Sequence, residues 1–412
     1  MKREAKTLYL ESAKLKGYKS IVDVEIDFLP GLNILIGRNG SGKTNLLTLL
    51  SKIISLEFDN LSELDGKIKL YGNERFDMNF NKSPHIIEEN ASASEFNSRI
   101  EFNTNFRISS GRKLVSKGVI EQNTTISEFM TNKISALYIK HGYPEEYPFV
   151  GQNVNFELKY SDYTKYLYDY AINRNIPLFS RCLYADFYSA FFVGKSNVSE
   201  DSLIDRITNY IEKSKSYLVI SLSSIMNTYT SVQEVRIDSK CSTTVSSDGM
   251  KVEGFRIEFK IDGTWHAFED LSDGTKRIVY MIMEMSIDNI FRVNYVFNDR
   301  YFGARSKISE KAISRVVFLE EPELGVHPKQ FHSIMKFVER FAETNQIIMS
   351  THAPQALDYI TLEELDRIII ASFDKDKGSI FKRMSDKQKR KAKSYVDDAY
   401  LRDMWIHSTL EI

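Results

Sequence analysis

Cysteine is nearly absent. Cys182 and Cys241 are the only two in 412 residues, their spacing suits no metal cluster, and they argue for a reducing compartment rather than a disulfide-held scaffold. Long apolar runs are missing as well: no stretch approaches the ~20 consecutive apolar residues that a membrane-spanning helix needs. The N-terminal segment MKREAKTLYLESAKLKGY has no hydrophobic signal core. These absences lead to the expectation of a soluble, cytoplasmic chain with no membrane contact. A surplus of one charge is lacking too, with 55 Lys and Arg against 56 Asp and Glu, so any contact with nucleic acid has to come from a local patch. No internal repeat or low-complexity tract occurs. No heptad pattern persists over several repeats, which argues against a long coiled-coil arm.

What remains is an ordinary globular composition, 42% apolar and 27% charged. Residues 1–160 begin with short strand-like segments, TLYLESAKL, VDVEIDF and GLNILIG, followed by a helical pattern from Thr44 to about Leu56 and further alternating segments such as RIEFNTNFRI and NVNFELKY. Residues 161–230 are rich in Tyr, Phe, Ile and Leu at helical spacing and read as a helical insertion. From 231 to 372 the strand pattern returns, with a helix expected from Gly274 to Ile290, buried runs RVVFL and QIIMS, and an amphipathic helix between them. Residues 373–412 form a tail with a basic run from Lys382 to Lys393. Apolar strands alternating with helices on both sides of the middle predict an α/β fold, its sheet split in sequence by the insertion.

Four segments carry chemistry. GRNGSGKT, comprising Gly37, Arg38, Asn39, Gly40, Ser41, Gly42, Lys43 and Thr44, fits the phosphate-binding loop in full and lies between a buried strand and a helix, as that motif requires. Its backbone N–H groups are suited to phosphate oxygens, Lys43 to the β- and γ-phosphates of ATP, and the Thr44 hydroxyl to Mg²⁺. VVFLEEPELGVHP ends a buried run on two adjacent carboxylates, which repel unless a cation sits there. Beside a phosphate loop, Glu320 can bind the magnesium while Glu321 polarises the attacking water. DLSDGTKR sets Ser272 and Gly274 before a helix, an arrangement that serves an anion or a simple helix cap equally well. QIIMSTHAP ends a strand on Thr351 and His352, and this histidine is a candidate γ-phosphate sensor.

In this order the four segments resemble the ATP-binding-cassette ATPases, and more narrowly the soluble branch of Rad50, SMC, RecF and OLD-type proteins, the AAA_21 ATPases. The resemblance covers about residues 7–60 and 255–372. It implies a P-loop sheet with an antiparallel β subdomain and a nucleotide sandwiched between two subunits. Ser272 and Gly274 of one copy would then touch the γ-phosphate held by Gly40, Lys43 and Thr44 of the other. It also implies a metal role for Glu320 and catalytic roles for Glu321 and His352. Glu320, one methylene longer, stands where the family usually has an aspartate, and Asp273 replaces a glycine of the transporter signature. Gln122 and Gln152 are candidates for the Q-loop glutamine. The KGYKS segment is similar to the GFKSF opening of SMC-like ATPases, which brings Lys16 or Lys19 toward nucleotide or DNA.

With no coiled-coil arm and no Toprim domain legible after the cassette, the expected protein is an ATPase whose effector is encoded separately. That profile is similar to the ATPase subunits of anti-phage systems such as PARIS, Septu and the retron-associated operons. The expected partners are a second copy, in a homodimer or higher homo-oligomer, and an effector protein, with nucleic acid as a further candidate. A DNA-repair ATPase of RecF or SMC type, touching DNA through the basic run at 382–393, is the alternative.

Overall fold

The structure is a computed structural model. It describes residues 8–58, 61, 63–72, 74–88, 98–120, 134–140, 142, 150, 154–159, 177–183, 200–246, 249–287, 314–396 and 401–406. The first half carries strands β1 (Tyr9–Tyr18), β2 (Ile21–Asp27) and β3 (Leu32–Gly37), helix α1 (Lys43–Ile54), then β4 (Leu64–Tyr71), β5 (Arg75–Glu88), β6 (Ser98–Ser110), β7 (Lys113–Val119), β8 (Ile134–Ile139) and β9 (Val154–Lys159). The second half carries α2 (Glu200–Tyr229), β10 (Glu234–Ile237), β11 (Ser242–Val245), β12 (Gly249–Phe255), β13 (Ile257–Ile261), β14 (Thr264–Ala267) and α3 (Asp273–Met285). After these come β15 (Ser314–Glu320), α4 (Pro328–Ala342), β16 (Gln346–Thr351), β17 (Ile368–Asp374), β18 (Gly378–Arg383), α5 (Asp386–Val396) and α6 (Leu401–Ile406). The chain divides into two compact units, one of residues 1–141, 312–324 and 338–412, the other of 142–311 and 325–337.

The first unit contains two six-stranded sheets. One has the order β18-β17-β3-β16-β15-β8, parallel throughout except for the antiparallel edge strand β18. Strands β3, β15 and β16 are buried at every residue, as a parallel sheet covered on both faces requires, and their sequences are correspondingly unbroken apolar runs. The other sheet, β2-β1-β4-β5-β6-β7, is antiparallel, and β1 and β2 alternate between buried and accessible positions. Helix α1 turns Leu46, Leu47, Leu49, Leu50, Ile53 and Ile54 into one core shared with Leu15, Ile68 and Phe80 of the antiparallel sheet and Val316, Phe318 and Ile348 of the parallel one. Each such side chain contributes about 1.5–3 kcal/mol on burial.

A buried amide joins the two sheets. Gln346 Oε1 accepts from the Leu10 N–H at 2.8 Å, and its Nε2 donates to the carbonyls of Leu10 at 2.9 Å and Leu29 at 3.1 Å. These bonds fall where β1 slips register against β4, between Leu10 and Ser12. Leu10 lies beyond the last β1–β2 pair, Ser12 with Asp27, and the glutamine supplies partners to backbone groups past the end of that ladder.

The second unit has two three-stranded antiparallel sheets, β10-β13-β14 and β11-β12-β9. Arg256 bridges Asp238 at 3.0 Å and Glu258 at 2.8 Å on the first of them. On α2, the Ser223 hydroxyl takes the place of a ladder partner for β10: Oγ accepts from Val235 N–H at 2.8 Å and faces its carbonyl at 3.3 Å. On α3, the buried Glu284 accepts the N–H groups of Leu178 at 2.8 Å and Phe179 at 3.0 Å, which open a helical stretch at 178–183. Within the segment read as a helical insertion, 178–183 and 200–229 are helical, and 161–176 and 184–199 lie outside the described residues. Among the described residues, no helix is long and apolar enough to cross a membrane.

Candidate active site

The parallel sheet brings its key residues to one edge because every strand but β18 points the same way. Strand β3 delivers the glycine-rich loop, β15 the glutamate pair, β16 Thr351 and His352, and β8 ends beside β15 with Ile139 opposite Leu319. Gly37 closes β3 against β17 so tightly that a β-carbon there would lie 2.1 Å from the Ala371 carbonyl oxygen. Gly42 is left-handed (φ 90°), and its β-carbon would fall 1.9 Å from Ser379 Oγ and 2.7 Å from Ser20 Oγ. Only glycine satisfies both the angle and the space. Ser20, the turn between β1 and β2, is itself bonded to Asn45 Nδ2 and Ser379 Oγ, each at 2.8 Å. The loop is thus braced from two other places in the chain.

Lys43 is buried and folds back onto its own loop, donating to the Gly37 carbonyl at 2.8 Å and the Arg38 carbonyl at 3.2 Å. Desolvation pulls its pKa down from 10.5 to about 8, opposed by the charges of Glu321, Glu323 and Glu320. Arg38, Asn39 and Gly40 are exposed, whereas Ser41 is buried with its hydroxyl unpartnered. Thr44, one residue into α1, donates its hydroxyl hydrogen to Glu320 Oε1. Glu320 Oε2 accepts from the Tyr138 phenol at 2.8 Å, and burial pushes that phenol's pKa well above its usual value.

Glu321 follows in a left-handed conformation (φ 44°), and its N–H donates to the Ser350 carbonyl at 2.9 Å. Such a backbone costs on the order of 1–3 kcal/mol for a residue with a side chain and persists where its surroundings impose it. The consequence is that adjacent glutamates do different things. Glu320 meets Thr44, while Glu321 Oε1 lies 3.1 Å from His352 Nε2. The third carboxylate, Glu323, holds the histidine's backbone: its Oε1 accepts from His352 N–H at 2.6 Å and Ala353 N–H at 3.2 Å. Its other oxygen is buried without a hydrogen-bond partner.

The hydroxyl of Thr44 and the carboxylate of Glu320 are hard oxygen donors of the kind magnesium prefers, and they already touch. Among the described residues no group of three or more His, Cys, Asp or Glu side chains could hold a metal. Two protein oxygens fit an ion that keeps several waters and takes the rest of its ligands from phosphate.

Of the other segments singled out from the sequence, Ser272 and Gly274 stand in the second unit. Ser272 caps α3, its Oγ accepting from Thr275 N–H at 3.3 Å and lying 2.8 Å from Thr275 Oγ1. Gly274 is buried where a β-carbon would come within 2.9 Å of Gln330 Oε1 and 3.1 Å of the Gly325 carbonyl. Lys16 is paired with Asp23 at 2.7 Å across the β1–β2 hairpin, and Lys19 lies over the Tyr18 ring. Gln122 and Gln152 lie outside the described residues. Asp374 caps the β17–β18 turn through the N–H groups of Asp376 and Lys377, at 2.9 and 3.0 Å. The basic run falls on β18 and α5, where Lys389 pairs with Asp366 at 2.5 Å and Lys387, Arg390, Lys391 and Lys393 are exposed. Sequence reasoning missed Tyr138 and the acceptor role of Glu323, because neither lies in a motif whose spacing announces it.

This sheet and its phosphate loop share their fold with a solved Smc head domain. The chain belongs to the AAA_21 family, described as "AAA domain, putative AbiEii toxin, Type IV TA system", whose model matches residues 32–358. A stretch of 68 residues is 35% identical to the DNA replication and repair protein RecF of Pseudarthrobacter chlorophenolicus, covering 16% of this chain and 17% of that one. Another RecF, from Ligilactobacillus salivarius, is 50% identical over 40 residues, 10% of this chain and 11% of its own length. The similarity to these curated relatives therefore reaches well under a fifth of each of them. Among solved structures, an Smc head domain with an extended coiled coil, bound to the C-terminal domain of ScpA and derived from Pyrococcus furiosus, superposes with a TM-score of 0.50 at 14% identity. The match covers 95% of this chain and 100% of that one, and the likeness is one of fold.

Proposed function

We propose that the chain binds ATP and magnesium at the edge of its parallel sheet, hydrolyses the nucleotide, and uses it to switch between open and closed pairings of two copies. The observation that carries this reading is the contact of Thr44 with Glu320 beside the buried Lys43. Three residues from two distant segments meet where a triphosphate on the loop would need a cation, a metal ligand and a charge. Lys43 exchanges its bonds to Gly37 and Arg38 for phosphate oxygens. Thr44 and Glu320 would hold the magnesium, which would supply positive charge to the phosphates when bound. Glu321 accepts the proton of the attacking water, and His352, held by Glu323 and in contact with Glu321, orients that carboxylate and reports on the γ-phosphate. Ser272 and Gly274 of a second copy complete the site across the interface, so ATP favours the closed pair and its loss favours opening.

The switch, in this reading, controls a separately encoded effector, a nuclease toxin, in anti-phage defence in the cytoplasm. The family's description as part of a toxin–antitoxin system is in keeping with a partner encoded alongside. Glu321→Gln is expected to keep ATP binding, to lower turnover at least about 100-fold, and to run as a dimer or larger assembly in size-exclusion chromatography only when ATP is present. A mutant that hydrolyses at the unmodified rate removes Glu321 from its role. Co-purification with the product of the adjacent gene, and growth arrest when that product is expressed alone, are the expected outcomes for the effector. No partner and no effect on phage plating would sink that part.

A second reading, a DNA-repair ATPase, is favoured by the exposed cationic side of α5 and by the RecF relatives. It predicts DNA-stimulated turnover and salt-sensitive DNA binding, lost when Lys387, Arg390, Lys391 and Lys393 are neutralised.

A further inference from the structure

Tyr138 lies in no motif, yet its phenol reaches the carboxylate that ends β15. The O–H donates to Glu320 Oε2 at 2.8 Å, and its oxygen lies 3.2 Å from the Thr48 hydroxyl. Glu320 Oε1 accepts from Thr44. Thr44 and Thr48 are four residues apart on α1, so their hydroxyls fall on one side of the helix. Tyr138 stands opposite Phe318 in the parallel register of β8 with β15, two residues short of Glu320, and its long side chain reaches that carboxylate. The result is a row of four groups, Thr44, Glu320, Tyr138 and Thr48, drawn from three elements.

A glutamate has one more rotatable bond than an aspartate and so more freedom to lose when it is held in one place. A donor on one carboxylate oxygen removes that freedom and leaves the other oxygen directed at Thr44. The phenol is suited to this because it offers a single O–H donor at the end of a long, stiff side chain, and that donor meets Oε2. We infer that Tyr138 is a positioning residue for Glu320: its hydrogen bond to Oε2 holds the long carboxylate so that Oε1 stays beside the Thr44 hydroxyl, and thereby sets the affinity for magnesium. This rests on the reading above that Thr44 and Glu320 hold the ion.

The test is binding of a fluorescent ATP analogue to the full chain as Mg²⁺ is raised. Tyr138→Phe is expected to increase the half-saturating Mg²⁺ by about tenfold, the effect usual for removing a group that orients a metal ligand, with analogue binding in EDTA unchanged. Because the phenol acts through Glu320, adding Tyr138→Phe to Glu320→Ala is expected to change nothing further. An unshifted half-saturation in Tyr138→Phe, or an equal shift in the Glu320→Ala background, overturns the inference while leaving the magnesium site standing. An unmodified protein whose nucleotide binding ignores Mg²⁺ overturns both. If thermal melting finds Tyr138→Phe unfolded, Glu320→Asp decides: its shorter carboxylate cannot reach both hydroxyls, so half-saturating Mg²⁺ rises, and an unchanged or lower value sinks the proposal.

Discussion

Two helix N-termini bear the candidate chemistry, and they are finished in opposite ways. Helix α1 starts from Gly42, which has no side chain to bond the first N–H groups, and no acidic residue stands in its first turn. Helix α3 starts from Ser272, whose hydroxyl accepts from Thr275, and Asp273 follows in its first turn. The first end leaves its donors and its dipole for an outside anion; the second satisfies one of its own donors and meets any anion with a negative side chain. A single copy therefore carries a complete phosphate loop. Its serine turn is self-sufficient, and contact with another copy's nucleotide would have to exchange one hydrogen bond for another.

That contrast can be broken most sharply at Lys43. Lys43→Ala is expected to weaken ATP binding at least about 100-fold, the scale of one or two charge-assisted bonds, as read by calorimetry. Tight binding by that mutant would mean that α1 is not where the phosphates go. Glu323→Gln comes next. An amide accepts more weakly from the His352 and Ala353 N–H groups, so turnover is expected to fall about tenfold with ATP affinity nearly unchanged; parallel losses in both would assign Glu323 to binding instead.

The pH dependence sharpens the description of the α1 end. With Lys43 near 8 before nucleotide arrives, phosphate raises its pKa, so binding between about pH 8 and 9 takes up a proton and weakens as pH rises. Calorimetry in buffers of different ionisation enthalpy measures that uptake. The same depression implies that the unfolded chain binds more protons than the folded one between 8 and 10.5, so this group adds stability to the nucleotide-free protein as pH climbs through that window. The smallest effect is expected at the other helix. Ser272→Ala removes a cap worth about 1 kcal/mol, seen as a modest fall in Tm. Ser272→Asp keeps the cap, and if it also keeps ATP-driven pairing, the turn is a cap and nothing more.

How much of this could be read in advance depends on distance along the chain. The loop from Gly37 to Thr44, the buried run ending at Glu320 and the strand ending at Thr351 were all legible, since each is a local pattern of backbone demands and apolar runs. The helix expected from Gly274 to Ile290 is observed as Asp273–Met285, with 288–290 outside the described residues. Gln346 opens the run QIIMS, but its bonds to Leu10 and Leu29 span more than 300 residues and lie outside any local pattern. Lys16 was legible as a cation but not as the partner of Asp23, which depends on the register of the β1–β2 hairpin.

The order of residues alone determined that a glycine loop would follow a buried strand and that two carboxylates would arrive together at the end of another, because strand burial and phosphate-loop geometry are set by near neighbours. Which of those carboxylates faces the threonine and which faces the histidine was decided only by the assembled sheet. The left-handed turn at Glu321, and the side chains of Tyr138 and Glu323 that hold Glu320 and His352, come from separate strands and loops, and only the packing of β8, β15 and β16 side by side brings them within hydrogen-bond reach.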